Sequence, residues 1–285
     1  MNIIQIYQRF PKEADCLKHL ENARWHGKPI CPYCKSDRVT AAPKEQRFHC
    51  NNCKTSFSVT VGTIFHKTHL DLQKWFLAVV LMLNAKKGIS ARQLARDLEV
   101  NKNTAWSLAM RIRRAMLEQM ELLEGIVEMD ETFVGGKPRK GGPPSKRGRG
   151  TKKIPVVGMI ERGGRVVAEP AKKLSQKHLM KLIRRNMNVD NTILMTDQYS
   201  GYFPAGNIVA SHKSVDHSFQ YANGTIHTNN IESFWALLKR GIVGQYHKVS
   251  AKHLQKYITE FSYRHNNRDV DGIFELTLAR AVGVR

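Results

Sequence analysis

Apolar residues recur along this chain with two different periods, and the change of period divides it. Between 71 and 116 the spacing is helical. "DLQKWFLAVVLMLNA" predicts one buried helix, and its apolar centre "WFLAVVLML" (75–83) is far short of the roughly 20 residues that span a bilayer. "GISARQLARDLEVNKNTAWSLAMRIRRAM" (88–116) predicts a helix over Ala91–Leu98, a short turn at Glu99–Asn101 and a second helix over Lys102–Met116. Leu94, Leu98 and Val100 supply its core contacts. Asn103 and Thr104 stand where capping side chains belong. This is the grammar of a helix-turn-helix.

From Gly125 the period shortens to two. Ile126–Val134 reads as a strand, with Val127 and Met129 on one face and Glu128 and Asp130 on the other. Two strand-like runs then flank Arg162-Gly163-Gly164, a hairpin signal. "SQKHLMKLIRRNM" is an amphipathic helix, and "NTILMTDQYSGY" a strand with Asp197 at its exit. In "HTNNIESFWALLKR" (227–240), Ile231, Phe234, Trp235 and Leu238 make one apolar helical stripe. Glu232 lies about 100° around from that stripe, and Lys239 follows it by roughly 10 Å along the same flank. A further helix runs from about Ser250 to His265. The order strand, strand, strand, helix, strand, connection, helix predicts a mixed α/β sheet covered by helices, as in ribonuclease-H-like folds.

Charge changes the picture more than composition does. Among 285 residues, 46 Lys and Arg face 24 Asp and Glu, a net charge of +22. Such an excess calls for an anionic partner, and nucleic acid is the commonest. The rival partner, an acidic membrane surface, lacks support: no basic amphipathic anchor, lipidation signal or signal peptide is visible, "MNIIQIYQRF" included. Arg111, Arg113 and Arg114 cluster in the second helix of the helix-turn-helix and favour docking on DNA. "GGKPRKGGPPSKRGRGTKK" (135–153) carries eight positive charges and no acid, and predicts a mobile loop. Its Lys146, Arg147 and Arg149 would either contact phosphate or form a solvated linker.

Five cysteines without an export signal argue for reduced thiols used in metal binding or packing. Cys31-x-x-Cys34 and Cys50-x-x-Cys53, fifteen residues apart, have the spacing of a zinc ribbon. A closed cage of four thiolates leaves no open position, so its Zn²⁺ would be structural. Cys16 is expected to be a small buried hydrophobe.

The carboxylates suggest a second centre. A mid-strand acid (Asp130), a strand-end acid (Asp197) and a helix acid (Glu232) can converge in such a sheet. Converged carboxylates repel unless cations neutralise them, and hard oxygen ligands favour Mg²⁺ or Mn²⁺. Singly they prove little: Asp130 has Glu128 and Glu131 beside it, Asp197 could cap a turn, and Glu232 could be a surface acid.

Taken in order, "CPYC…CNNC…FSVTVGTIF", "ISARQLARDLEVNKNTAW", "EMDETFVGGK", "RGRGTKKIPVVGMIERGG", "TDQYSGY" and "HTNNIESFWALLKRGIVGQYHKVSAKHLQKYITEFSYRHNNR" resemble, over nearly the whole length, a known family. It is the insertion-sequence transposases of the DDE class, in the group with an N-terminal zinc ribbon and an ISXO-like transposase domain. The resemblance implies that Asp130 and Asp197 are the first two metal-binding acids, Glu232 the third and Lys239 a downstream phosphate-binding lysine. Asn230 is the second choice for the third position. It implies a structural zinc, two catalytic Mg²⁺ or Mn²⁺ ions, cleavage at transposon ends by water, and attack of the freed 3′-hydroxyl on target DNA. The implied partners are terminal inverted repeats, target DNA and a second copy of the chain on paired ends. The implied setting is prokaryotic cytoplasm, at the nucleoid and away from membranes. The expected domains are a ribbon with an N-terminal helix (1–62), a helix-turn-helix region (63–120) and a catalytic domain (121–285). A zinc-ribbon regulator would need only the first part, and a structure-specific nuclease would cut without joining.

Overall fold

A computed structural model describes residues 1–118, 121–135, 151–215 and 227–283. The chain forms two compact units, Met1–Leu117 with Asp269–Arg285, and Glu118–Arg268.

The first unit opens with α1 (Ile3–Arg9) and α2 (Glu13–Trp25). An antiparallel sheet of β1 (Val39–Ala42), β2 (Arg47–Cys50) and β3 (Ser56–Phe57) follows. Next comes α3 (Leu72–Asn84), almost wholly buried as its unbroken apolar run requires. The predicted helix pair is present as α4 (Ala91–Asp97) and α5 (Lys102–Ala115). Glu99 reverses the chain between them in the left-handed region, at φ +52°. The capping differs from expectation. Asn101, not Asn103 or Thr104, caps α5, its side-chain oxygen accepting the Asn103 amide at 2.8 Å. A cap must precede the first helical residue; α5 begins at Lys102 as expected, so Asn103 and Thr104 already lie inside it.

The second unit is built on β4 (Leu123–Val134). β5 (Ile154–Glu161) and β6 (Val166–Pro170) follow as an antiparallel hairpin through Arg162-Gly163-Gly164, with Gly163 at φ +73°. α6 (Gln176–Asn186) crosses to β7 (Met187–Asp197), which pairs parallel with β4. A 3-10 stretch (Ser200–Asn207) leads to β8 (Ser211–Val215), parallel to β7. Then come α7 (Asn229–Gly241), a π-turn (Ile242–Tyr246) and α8 (Ala251–Asn266). The strand order β6-β5-β4-β7-β8 is the ribonuclease-H-like arrangement. β8 is an addition to the expected elements: "SHKSV" is a short, polar edge strand with no apolar signature.

The strand's two faces separate as its alternation requires. Val127 and Met129 pack with Leu179 and Ile183 of α6, Leu194 and Tyr202. On the opposite face Val134, Val156 and Ile160 meet Ile231, Phe234, Trp235 and Leu238 of α7, together with Leu254, Ile258 and Phe261 of α8. Each of the four stripe residues contributes about 1.5–3 kcal/mol of burial, enough to fix which flank of α7 remains outside.

The chain ends back in the first unit. α9 (Ile273–Gly283) packs on α2, α3 and α5. Residues 269–285 were expected with the catalytic region, and their packing places them elsewhere. Phe274, Leu278, Ala281 and Val282 are buried, with Phe274 edge-on to Phe76. An amphipathic helix goes where its apolar face is covered, not where it lies in sequence.

Candidate active site and metal centre

The strand pairing sets two of the predicted acids on adjacent parallel strands, and the third lies on the helix that covers the Asp130 face. The β4–β7 register pairs Glu128 with Met195. Two residues further along both parallel strands stand Asp130 and Asp197. Asp197 ends β7, its carboxylate accepting the Tyr199 amide at 3.0 Å. Glu232 lies in the first turn of α7, exposed, and accepts a hydrogen bond from the Thr228 hydroxyl at 2.9 Å. Lys239 is exposed in the last turn of the same helix.

Asp130 is the electrostatic centre of the group. Burial pushes its carboxyl up to about 7, and the charges of Glu131, Asp197 and Glu232 push the same way. Asp197 and Glu232 thus lie within electrostatic reach of Asp130, although the three carboxylates are not gathered within 4.8 Å of one another as the cysteine sulfurs are. The Trp235 indole donates to Asp130 at 3.0 Å. Beneath that ring lies Gly158, the β5 partner of Asp130, where a Cβ would come within 2.5 Å of the indole. Glu131 points to the other face and accepts the buried Tyr202 hydroxyl at 2.7 Å. The first acid of "EMDE", Glu128, is fully buried and bonded to the start of α7. Asn230, the second choice for the third acid, directs its side-chain amide to Glu128 at 2.7 Å.

The cysteines form the other centre. Among the described residues only Cys31, Cys34, Cys50 and Cys53 bring their ligand atoms within 4.8 Å of one another. Cys31 and Cys53 sulfurs are 3.7 Å apart, and Cys34 and Cys50 sulfurs 3.5 Å. A tetrahedron with metal–sulfur bonds of about 2.3 Å has edges of about 3.8 Å, so the donor set fits zinc. Each knuckle closes through the lysine after its second cysteine: Lys35 at φ +64° and Lys54 at φ +57°. Backbone and side-chain donors lower Cys34 to about 6, whereas burial raises Cys31 to about 11. Cys16 is wholly buried, as expected of a packing thiol.

The basic residues sort less simply. Asn103 and Thr104 are exposed on α5 and, with Lys67, His69, Ser107 and Arg111, line a groove of about 570 Å³ that contains no acidic side chain. Arg114 is exposed. Arg113 is only 2 % exposed, so its expected place on DNA is corrected: it lies on the core side of α5, one residue from Ile112. Arg111 is half-buried, donates to the His66 carbonyl at 2.6 Å and lies over Trp75. A run of arginines on a helix spreads around its circumference, and only part of it can face outward. Lys146, Arg147 and Arg149, with most of their glycine-rich loop, lie outside the described residues. No described helix is long and apolar enough to cross a membrane.

Sequence reasoning missed three site residues: Glu128, which looked like one acid among several; Trp235, assigned to the core alone; and Gly158. A buried tryptophan needs a partner for its N–H, and that rule pointed from Trp235 to an acceptor on the facing strand.

Comparison with known proteins agrees with this architecture. The family model of the ISXO2-like transposase domain matches residues 122–266, and that of the transposase zinc-ribbon domain matches 11–56. A protein in transposable element ISH50 of Halobacterium salinarum is 30% identical over 272 residues, covering 90% of this chain and 91% of its own. A transposase-like protein of Haemophilus influenzae is 27% identical over 92 residues, 32% of this chain and 73% of its own. A chain of the Mos1 transposase paired-end complex with the left transposon end aligns over 72% of this chain and 78% of its own, at 14% identity and a TM-score of 0.29. The fold assignment rests on the strand order, not on that overlap.

Proposed function

The chain belongs to the family of ISXO2-like transposases, and on that premise we propose that Asp130, Asp197 and Glu232 hold two divalent cations, Mg²⁺ or Mn²⁺, for the cutting and joining of DNA. The observation that carries this reading is the juxtaposition of Asp130 and Asp197 on adjacent parallel strands, with the helix of Glu232 laid over the Asp130 face. When bound, such cations activate the attacking oxygen and stabilise the leaving one.

The chain's residues supply the rest. Trp235 fixes one Asp130 oxygen and leaves the other for a cation. Lys239 holds a phosphate of the strand being cut. In the first step water attacks the phosphodiester at the transposon end, the bond to the 3′ oxygen breaks, and a 3′-hydroxyl and a 5′-phosphate result. In the second step that 3′-hydroxyl attacks a target phosphodiester. One P–O bond forms as another breaks, so no energy source is needed.

The first unit is read as the grip. A Zn²⁺ in the cysteine cage orders the ribbon, and the α5 groove takes terminal-repeat DNA through Asn103, Thr104 and Arg111, with Lys67 and His69 on its other wall. Arg114 and the basic loop bearing Lys146, Arg147 and Arg149 add phosphate contacts. Paired ends call for two copies of the chain. The setting is prokaryotic cytoplasm, on nucleoid DNA. Cleavage and strand transfer on DNA bearing the element's own ends test the reading. Wild type should cut and join with Mg²⁺, while Glu232→Gln should bind but do neither. Equal activity in both removes Glu232 from the site.

A further inference from the structure

We infer that Glu128 is the positioning residue for Glu232: a buried carboxylate that locks the first turn of α7 onto the strand carrying Asp130. The inference rests on the two-cation reading above and adds to it the part that sets the distance between two of its ligands.

Glu128 has no exposed surface. One of its oxygens, Oε2, accepts the backbone amides of Asn230 at 2.8 Å and Ile231 at 3.1 Å. The other, Oε1, accepts the Asn230 side chain at 2.7 Å and Arg162 Nε at 2.8 Å, and lies 3.2 Å from His227 Nδ1. Arg162 reaches past it to the His227 carbonyl at 3.0 Å. A carboxylate offers about four lone-pair sites, and four donors already occupy them, so Glu128 has no capacity left for a cation.

The start of α7 explains why such a group is there. The first amides of a helix lack partners within it. Thr228, at the N-cap, makes no capping side-chain bond. Glu128 supplies the missing acceptor from another element, and its negative charge suits the positive end of the helix dipole. Ile231 immediately precedes Glu232. One turn further on, Trp235 bonds to Asp130. Helix α7 is thus tied to β4 at two points, Glu128 and Asp130, and Glu232 lies between the two ties. Neither tie holds Glu232 itself; together they fix its height and rotation relative to Asp130.

The test uses the full zinc-loaded chain and three variants: Glu128→Ala, Asn230→Ala, and Leu179→Ala as a packing control on the opposite sheet face. The readouts are the Mn²⁺ concentration for half-maximal cleavage of DNA bearing the element's ends, the DNA affinity without divalent metal, and thermal stability. Loss of a residue that orients a metal ligand typically costs 10–100-fold in metal affinity. Glu128→Ala should therefore raise the Mn²⁺ requirement by about 10-fold or more, with DNA affinity unchanged and activity returning at high Mn²⁺. Asn230→Ala, which loses one bond from an exposed side chain, should shift it the same way by roughly 3-fold. Leu179→Ala should lower stability and leave the Mn²⁺ requirement where it was. A wild-type Mn²⁺ requirement in Glu128→Ala overturns the inference, as does an equal shift in Leu179→Ala. If Glu128→Ala fails to fold, Asn230→Ala decides in the same terms. A wild type without metal-dependent cleavage overturns the functional reading and this inference with it; an active wild type with unshifted variants overturns the inference alone.

Discussion

The cysteine cage and the carboxylate group are assembled by different means. Each cysteine pair is placed by a local turn, the two turns alike down to a left-handed lysine after each second cysteine, and only one strand hairpin brings the pairs together. The carboxylates come from a central strand, the end of its parallel neighbour and a helix that reaches the sheet after all five strands are laid. The sulfurs already stand at tetrahedral spacing, whereas Asp130 is held in a state that favours protonation. Hydrogen-bond donors stabilise the Cys34 thiolate in place, while the buried Cys31 thiol, raised to about 11, still needs the metal's charge. Carboxylates gathered around a buried acid store repulsion that a cation relieves. The first arrangement serves folding, and the second serves a metal that must meet substrate.

The comparison breaks most visibly in activity. Asp130→Asn and Glu232→Gln should each lower cleavage by about 10³-fold or more while leaving DNA affinity near wild type, because each removes transition-state stabilisation without touching the grip. Gel-shift and cleavage assays on the same protein check this. Cys50→Ser should do the reverse. With the ribbon's metal lost, DNA binding should fall and the first unit should lose several kcal/mol, on the order expected for a structural zinc site, as seen by zinc content and thermal unfolding.

The stored repulsion has its own signature. Asp130 is raised to about 7 in the fold, against roughly 3.9 in an unfolded chain. The native state therefore binds the extra proton between these values. Its contribution to stability is fully present below about pH 4 and is lost as pH rises toward about 7. In zinc-loaded protein without Mg²⁺, Asp130→Asn should stabilise relative to wild type, by roughly 2 °C or more in Tm at pH 8, and the gain should shrink toward pH 4. A Tm difference that does not vary with pH would remove the electrostatic argument.

Smaller effects sharpen the geometry. Gly158→Ala places a methyl against Trp235 and should cost about 1–3 kcal/mol, with lowered cleavage. Trp235→Phe should cost about 1 kcal/mol and raise the Mn²⁺ requirement less than Glu128→Ala does. In the first unit, Arg114→Ala should weaken DNA binding and lower its salt slope by about 1. Arg113→Ala should instead lower stability, because Arg113 is buried.

The same contrast explains what the sequence revealed. Cys31-x-x-Cys34 and Cys50-x-x-Cys53 are legible because spacing alone fixes the knuckles. The faces of β4 and the apolar stripe of α7 are legible because periodicity reports burial. Arg113 and the cap at Asn101 were misplaced by a fraction of a helical turn, which periodicity does not resolve. β8 carries no apolar pattern, and α9 gives no sign of which unit it will join. Glu128 was hidden for another reason. In sequence it matches its neighbours Asp130 and Glu131, and only the arrival of α7 makes one a buried anchor and another an electrostatic centre.

The central claim is that Asp130, Asp197 and Glu232 form one cation site. Mn²⁺ binding to zinc-loaded protein, followed by electron paramagnetic resonance without DNA, tests it directly. Wild type should bind Mn²⁺ and each of Asp130→Asn, Asp197→Asn and Glu232→Gln should weaken the same signal. Three variants that bind Mn²⁺ as wild type does, or only one that differs, would contradict a shared site.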